Sequence, residues 1–164
     1  MPATYEPIAT TTLATAATAI NFSSIAATYT DLRVVFQNAT TPPNNIHFRL
    51  NTDSGSNYSW TSLQGNGTTA TSDRNTSQTT LELPVSDSAY GLYTLDFFSY
   101  AGATYKTFLI TNSGDLNGSG YVVRQVGLWR STAAITSINF RCGGAGSQNF
   151  PIGTTATLYG ILKA

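Results

Sequence analysis

Ile46-His47-Phe48-Arg49-Leu50-Asn51 alternates apolar and polar residues without a break. Successive side chains of an extended chain point to opposite sides, so Ile46, Phe48 and Leu50 share one face and His47, Arg49 and Asn51 the other. The same two-residue period returns at residues 20–25, 32–37, 58–63, 80–83, 92–100, 105–110, 121–129, 135–142 and 155–162. These ten segments are rich in β-branched and aromatic residues, which suit a pleated, half-buried surface. Turn signals separate them: Thr41-Pro42-Pro43-Asn44-Asn45, Ser54-Gly55-Ser56, Asn66-Gly67, Asn117-Gly118 and Gly143-Gly144-Ala145-Gly146. Many short strands at this spacing predict an all-β chain folded as an antiparallel β-sandwich, jelly-roll-like in arrangement. No long stretch keeps a 3.6-residue period, and the one helix candidate, residues 13–19, is loaded with Thr. Residues 65–80 are almost wholly polar and read as a long exposed loop between two strands.

The chain has 164 residues, which fits one domain large enough to build a core without a disulfide or a metal. Residues 1–12, held extended by Pro2 and Pro7, read as an N-terminal arm, and residues 13–164 as the sandwich domain. Eight Lys and Arg balance eight Asp and Glu, and charged residues make up only 10 %. Thr, Ser and Asn together supply about a third of the chain and take over the solubilising role of charge. Zero net charge argues against nucleic acid and against an anionic membrane surface, and it removes one barrier to self-association. No run approaches the roughly 18 consecutive apolar residues of a membrane helix. The first residues lack the basic region of a signal peptide, which predicts a protein made and used without secretion.

Catalytic chemistry finds little to work with. His47 is the single imidazole and alternates with Phe48, which predicts a solvent-facing or interface position. No Gly-x-Ser-x-Gly elbow is present, and Gly118-Ser119-Gly120 reads as a hairpin turn. Cys142, the lone cysteine, closes the alternating run Ile138, Phe140, Cys142 and reads as a small buried hydrophobe. The eight acids are scattered singly, so no pair is proposed for glycoside hydrolysis. Asp53, in Asn51-Thr52-Asp53-Ser54-Gly55-Ser56-Asn57, lacks the acidic companions of a calcium loop and fits an Asx-type turn. The glycines at 143, 144 and 146 match neither a dinucleotide fingerprint nor a P-loop. The expectation is a non-enzyme with no catalytic residue, no cofactor and no metal. Tyr58, Trp60 and Trp129 are the candidate glycan or interface contacts, since exposed rings flanked by Asn and Ser can stack on a sugar; core packing is the competing use of the same rings.

Several stretches carry a resemblance. Thr157-Leu158-Tyr159-Gly160-Ile161-Leu162-Lys163-Ala164 at the end and Tyr5-Glu6-Pro7-Ile8-Ala9-Thr10-Thr11-Thr12-Leu13 at the start resemble a group of small virion proteins of tailed bacteriophages. Tyr29-Thr30-Asp31-Leu32, Gly55-Ser56-Asn57-Tyr58-Ser59-Trp60 and Trp129-Arg130-Ser131-Thr132-Ala133-Ala134-Ile135 resemble the same group, in order along nearly the whole chain. The resemblance implies a β-sandwich structural protein, either a capsid cement (decoration) protein or a tail-fibre-like component that binds a host receptor or glycan. It carries no active-site residue. The cement reading implies a homotrimer on the capsid surface, bound to the major capsid protein of the phage head, because cyclic copies suit local symmetry axes. Under it Pro2, Tyr5, Glu6, Pro7 and Ile8 are the candidate shell anchor.

Overall fold

The structure is a computed structural model and describes residues 4–37, 46–83, 91–115, 117–143 and 148–162. Twelve strands form among them: β1 (Tyr5–Thr12), β2 (Ala19–Phe22), β3 (Asp31–Gln37), β4 (Ile46–Leu50), β5 (Tyr58–Gly65), β6 (Ala70–Gln78), β7 (Leu81–Leu83), β8 (Leu92–Phe97), β9 (Lys106–Asp115), β10 (Gly120–Trp129), β11 (Ile138–Cys142) and β12 (Thr155–Ile161). They make two antiparallel sheets, an eight-stranded one in the order β1-β12-β3-β8-β9-β10-β5-β6 and a four-stranded one in the order β2-β11-β4-β7. The all-β antiparallel sandwich expected from the alternation is the fold the chain adopts.

The two-residue period does the work assigned to it. Leu32, Val34 and Phe36 of β3, Ile46, Phe48 and Leu50 of β4, and Ile138, Phe140 and Cys142 of β11 are all fully buried, while the residues between them are not. Aromatic rings knit the sheets together across the interior. Phe48 of the small sheet lies 6.0 Å from Phe97 and 5.6 Å from Phe108 of the large one, and Phe140 lies 5.4 Å from Phe36. Such pairs prefer edge-on or tilted contacts, which is how these rings meet. Gly127 of β10 makes room for this cluster: a Cβ there would stand 1.9 Å from the Phe108 ring.

Four strands cannot cover eight. β7 forms one margin of the small sheet, and Gln125 of β10 donates to the Glu82 carbonyl there at 3.0 Å. Past that margin the inner face of the large sheet turns polar: Ser62 and Gln64 of β5 are half-buried, and Thr71 and Asp73 of β6 are exposed. The structure thus corrects the reading of residues 65–80 as a loop. Only a tight turn separates β5 from β6, built on the Asn66 side chain, which accepts from the Thr68 and Thr69 amides at 3.1 and 2.8 Å. β6 carries no apolar period because both of its faces meet water. Residues 13–19 are not helical either; Ala17 bridges to Phe150 and Ala19 begins β2.

Residues 5–12, read as an arm, are β1, an edge strand in antiparallel register with β12 from Tyr5↔Ile161 to Thr12↔Thr155. Threonine hydroxyls meet across this pair, Thr10 with Thr157 and Thr12 with Thr155, both at 3.1 Å. Pro2, the turn at 41–45 and residues 144–146 lie outside the described residues.

Candidate functional site

The expected ring contacts sit inside the molecule. Tyr58 is fully buried, Trp129 is 2 % exposed and Trp60 is 9 % exposed. Tyr58 and Trp129 face each other across the β5–β10 pair and stack, with centroids 6.4 Å apart. The Tyr58 hydroxyl accepts from the Leu50 amide at 3.0 Å and donates to the Asp53 carbonyl at 3.2 Å. The Trp129 indole donates to Asp53 Oδ2 at 2.7 Å. Their faces are therefore taken up by the core, and a sugar has no ring of the three to lie on; alternation alone does not say which face of β5 the small sheet covers.

Asp53 organises this corner. Its Oδ1 accepts from the Gly55 amide at 2.8 Å, and its Oδ2 accepts from Asn57 at 2.9 Å as well as from Trp129. Burial raises the pKa of this carboxyl, but the hydrogen bonds from Trp129, Asn57 and Gly55 outweigh burial and leave it below its ordinary value. Arg130 completes the corner, donating its amide to the Asn57 carbonyl at 2.9 Å and its guanidinium to the Ser56 carbonyl. Residues 56–58 and 129–130 thus meet as a structural joint.

Asn51, which sequence reading passed over, fastens the neighbouring loop. Its side chain accepts from the Thr136 and Ser137 amides at 2.8 and 3.1 Å and donates to the Ala134 carbonyl at 2.7 Å. It sits at φ 51°, a left-handed conformation that Asn tolerates better than most residues. An Asn directly after an alternating run was the available signal.

The other chemical candidates are structural as well. Cys142 is buried, which pushes its thiol up to about 12 and keeps it protonated. His47 lies between Glu82 of β7 and Arg141 of β11 on the outer side of the small sheet, with both ring nitrogens shielded and without a hydrogen-bond partner. Burial lowers its pKa; Glu82 partly opposes that shift and Arg49 adds to it. Lys106 is fully buried and its ammonium is spent on the Gly102 and Thr104 carbonyls. No group of three or more His, Cys, Asp or Glu placed to hold a metal occurs among the described residues.

Exposed apolar side chains gather on the outer face of the large sheet. Leu63, Leu92, Val122 and Val126 all point outward and are between 47 % and 59 % exposed. The pairing register makes them neighbours: Leu63 stands opposite Arg124, hence diagonal to both valines, and Val126 stands opposite Leu109. Threonines surround this patch. Arg33 pairs with Asp96 at 2.5 Å and covers the ring of Tyr5, 5.4 Å away. Of the anchor candidates, Tyr5 is thereby built into the outer face, Glu6 and Pro7 lie in the ladder with β12, and Ile8 packs against the core. One end of the face holds a groove of about 640 Å³ lined by Gln37, Leu92, Ser113, Tyr121 and Val122, with Gly65 and Gly114 in its wall. Comparison with protein-family models, with curated proteins and with solved structures returned no match to this chain.

Proposed function

We propose that this chain is a non-enzymatic structural protein of a bacteriophage virion, a cement or decoration protein that binds the assembled head as a homotrimer and holds its subunits together. The observation that carries this reading is the outer face. Eight strands about 4.8 Å apart and some eight residues long give a surface of roughly 800–900 Å², close to one partner's share of a standard protein interface. Leu63, Val122 and Val126 gathered around Arg124, with threonines and the internally neutralised Arg33–Asp96 pair nearby, give the mixed apolar and polar surface of such an interface. The stretches resembling phage virion proteins support the same reading, and Asp53, Lys106 and Cys142 are taken up by a turn, by backbone carbonyls and by the core. In the proposed mechanism the trimer binds only the assembled shell, so occupancy lowers the free energy of that state, and many modest contacts sum over the particle.

The copy number of the chain in purified particles, measured by quantitative mass spectrometry against the major capsid protein, tests this. A ratio near that of the shell protein is expected; absence from the particle overturns it. A handful of copies would favour the second reading, a tail component that binds a host glycan. The specific observation behind that reading is the 640 Å³ groove, whose size suits a sugar and whose Leu92 and Val122 supply an apolar wall beside the Ser113 hydroxyl.

A further inference from the structure

The large sheet ends in two edges, and they are finished differently. On β1, Leu162 donates its amide to the Thr4 carbonyl at 3.0 Å, and Glu6 stands opposite Gly160. Hydrogen-bonded pairs recur every second residue, so Glu6 turns its backbone toward β12 and Pro7 turns its nitrogen toward the open side. Pro7 has no N–H to offer there, and the register then breaks at a bulge between Pro7 and Ala9. Both features are means by which proteins stop a strand from adding to an edge.

β6 has neither along its regular part. The Asn66 amide donates to the Thr69 carbonyl at 3.2 Å, which sets the ladder phase so that Thr71, Asp73 and Asn75 face β5. Ala70, Ser72 and Arg74 therefore direct N–H and C=O groups outward, with no proline, no lysine and no bulge until after Asn75. Among the described residues the strand is exposed on both faces and lies past the margin of the small sheet, which leaves room for an incoming chain.

We infer that β6 is a strand acceptor, which takes an extended segment of another protein in antiparallel pairing along Ala70–Ser72–Arg74. A second copy of β6 fits poorly. A two-fold axis must oppose residues of the same face, and the registers centred on Arg74 and on Asp73 set each charge against its own copy. The register centred on Asn75 runs through the irregular stretch after that residue, where Ser77 has φ 55°, and the one centred on Ser72 pairs only residues 70–74. The chemistry selects a foreign strand that carries a carboxylate opposite Arg74 on the outer face and short hydroxyl side chains opposite Thr71 and Asp73 on the inner face. Main-chain hydrogen bonds supply the affinity and these side chains the selectivity. The inference rests on the edge geometry and holds whether or not the chain belongs to a virion.

Amide hydrogen exchange on the full chain, with and without the capped peptide Thr-Glu-Thr-Val-Thr-Val-Thr, tests it residue by residue. Binding should slow exchange at the Ala70, Ser72 and Arg74 amides by roughly tenfold or more and leave Thr71, Asp73 and Asn75, already bonded to β5, nearly unchanged. Ser72→Pro should abolish the effect, because it removes an outward N–H and no internal bond. Arg74→Glu should weaken this peptide and restore binding to the same peptide with Lys in place of Glu, which keeps the test informative if the proline variant misfolds. No alternating protection at millimolar peptide overturns the proposal. So does alternating protection that grows with the concentration of the chain alone, since that would make the partner a second copy.

Discussion

β3 and β6 belong to the same sheet and are stabilised by opposite means. In β3, Leu32, Val34 and Phe36 are fully buried beneath the small sheet, and both neighbours pair with it from Leu32 to Gln37. In β6 no side chain is buried, one neighbour is present, and the sequence Ala70-Thr71-Ser72-Asp73-Arg74-Asn75-Thr76-Ser77-Gln78 contributes almost no hydrophobic burial. The backbone ladder is common to both; what differs is the area removed from water. The lesson is that this sheet is a covered core with an uncovered flank extruded from it, and the flank's order depends on the core's.

The sharpest way to break that comparison is to empty the core. Phe48→Ala removes the ring that meets Phe97, Phe108 and Phe140 and should cost about 3–5 kcal/mol, with β6 losing its exchange protection in the same transition. If β6 kept its order while the core melted, the flank would be an independent unit and the contrast would fail; thermal denaturation read by exchange distinguishes the two.

A smaller effect is expected where the flank is tied to the core. Asp53→Ala leaves the Trp129 indole and the Gly55 amide without their acceptor, and the loss should be about 2 kcal/mol at neutral pH. The sign with pH follows from the lowered pKa of Asp53: its contribution is present above its ordinary value of 3.8 and is lost as pH falls through the still lower folded value. Urea unfolding of wild type and variant should therefore converge at low pH; a gap that stays constant would mean that packing, and not the carboxylate, holds the corner.

The smallest effect concerns His47 on the small sheet, the layer that decides where the flank begins. Its folded pKa lies below 6.5, so the neutral ring is favoured by folding. The associated stability is complete above pH 6.5 and falls away as pH drops through the folded value, because the unfolded chain takes up the proton first. His47→Gln should flatten the melting temperature between neutral pH and pH 5, by a few degrees at most. A profile as steep in the variant as in wild type would place the titration elsewhere, at the carboxylates.

Much of the core was legible from residues alone. Ile46, Phe48 and Leu50 announced their shared face, and Cys142 its burial, because alternation and burial are the same fact wherever one side of a strand is covered. The flank was not legible. β6 is a strand through hydrogen bonds to β5, and hydrogen-bonding capacity belongs to every residue except proline, so it leaves no mark in the choice of side chains. Tyr58, Trp60 and Trp129 could not be assigned between core and ligand, since a ring suits either.

The sequence by itself determined the all-β class, the antiparallel sandwich, the residues that would face inward, and a surface solubilised by hydroxyls and amides in place of charge. Those follow from local periodicity and composition. Only the tertiary structure decided that residues 5–12 close one edge with Pro7 and a bulge, that residues 70–78 leave the other open, and that Asp53 joins Tyr58 to Trp129. Each depends on which strand lies beside which, and strand order is set by contacts between residues far apart in the chain.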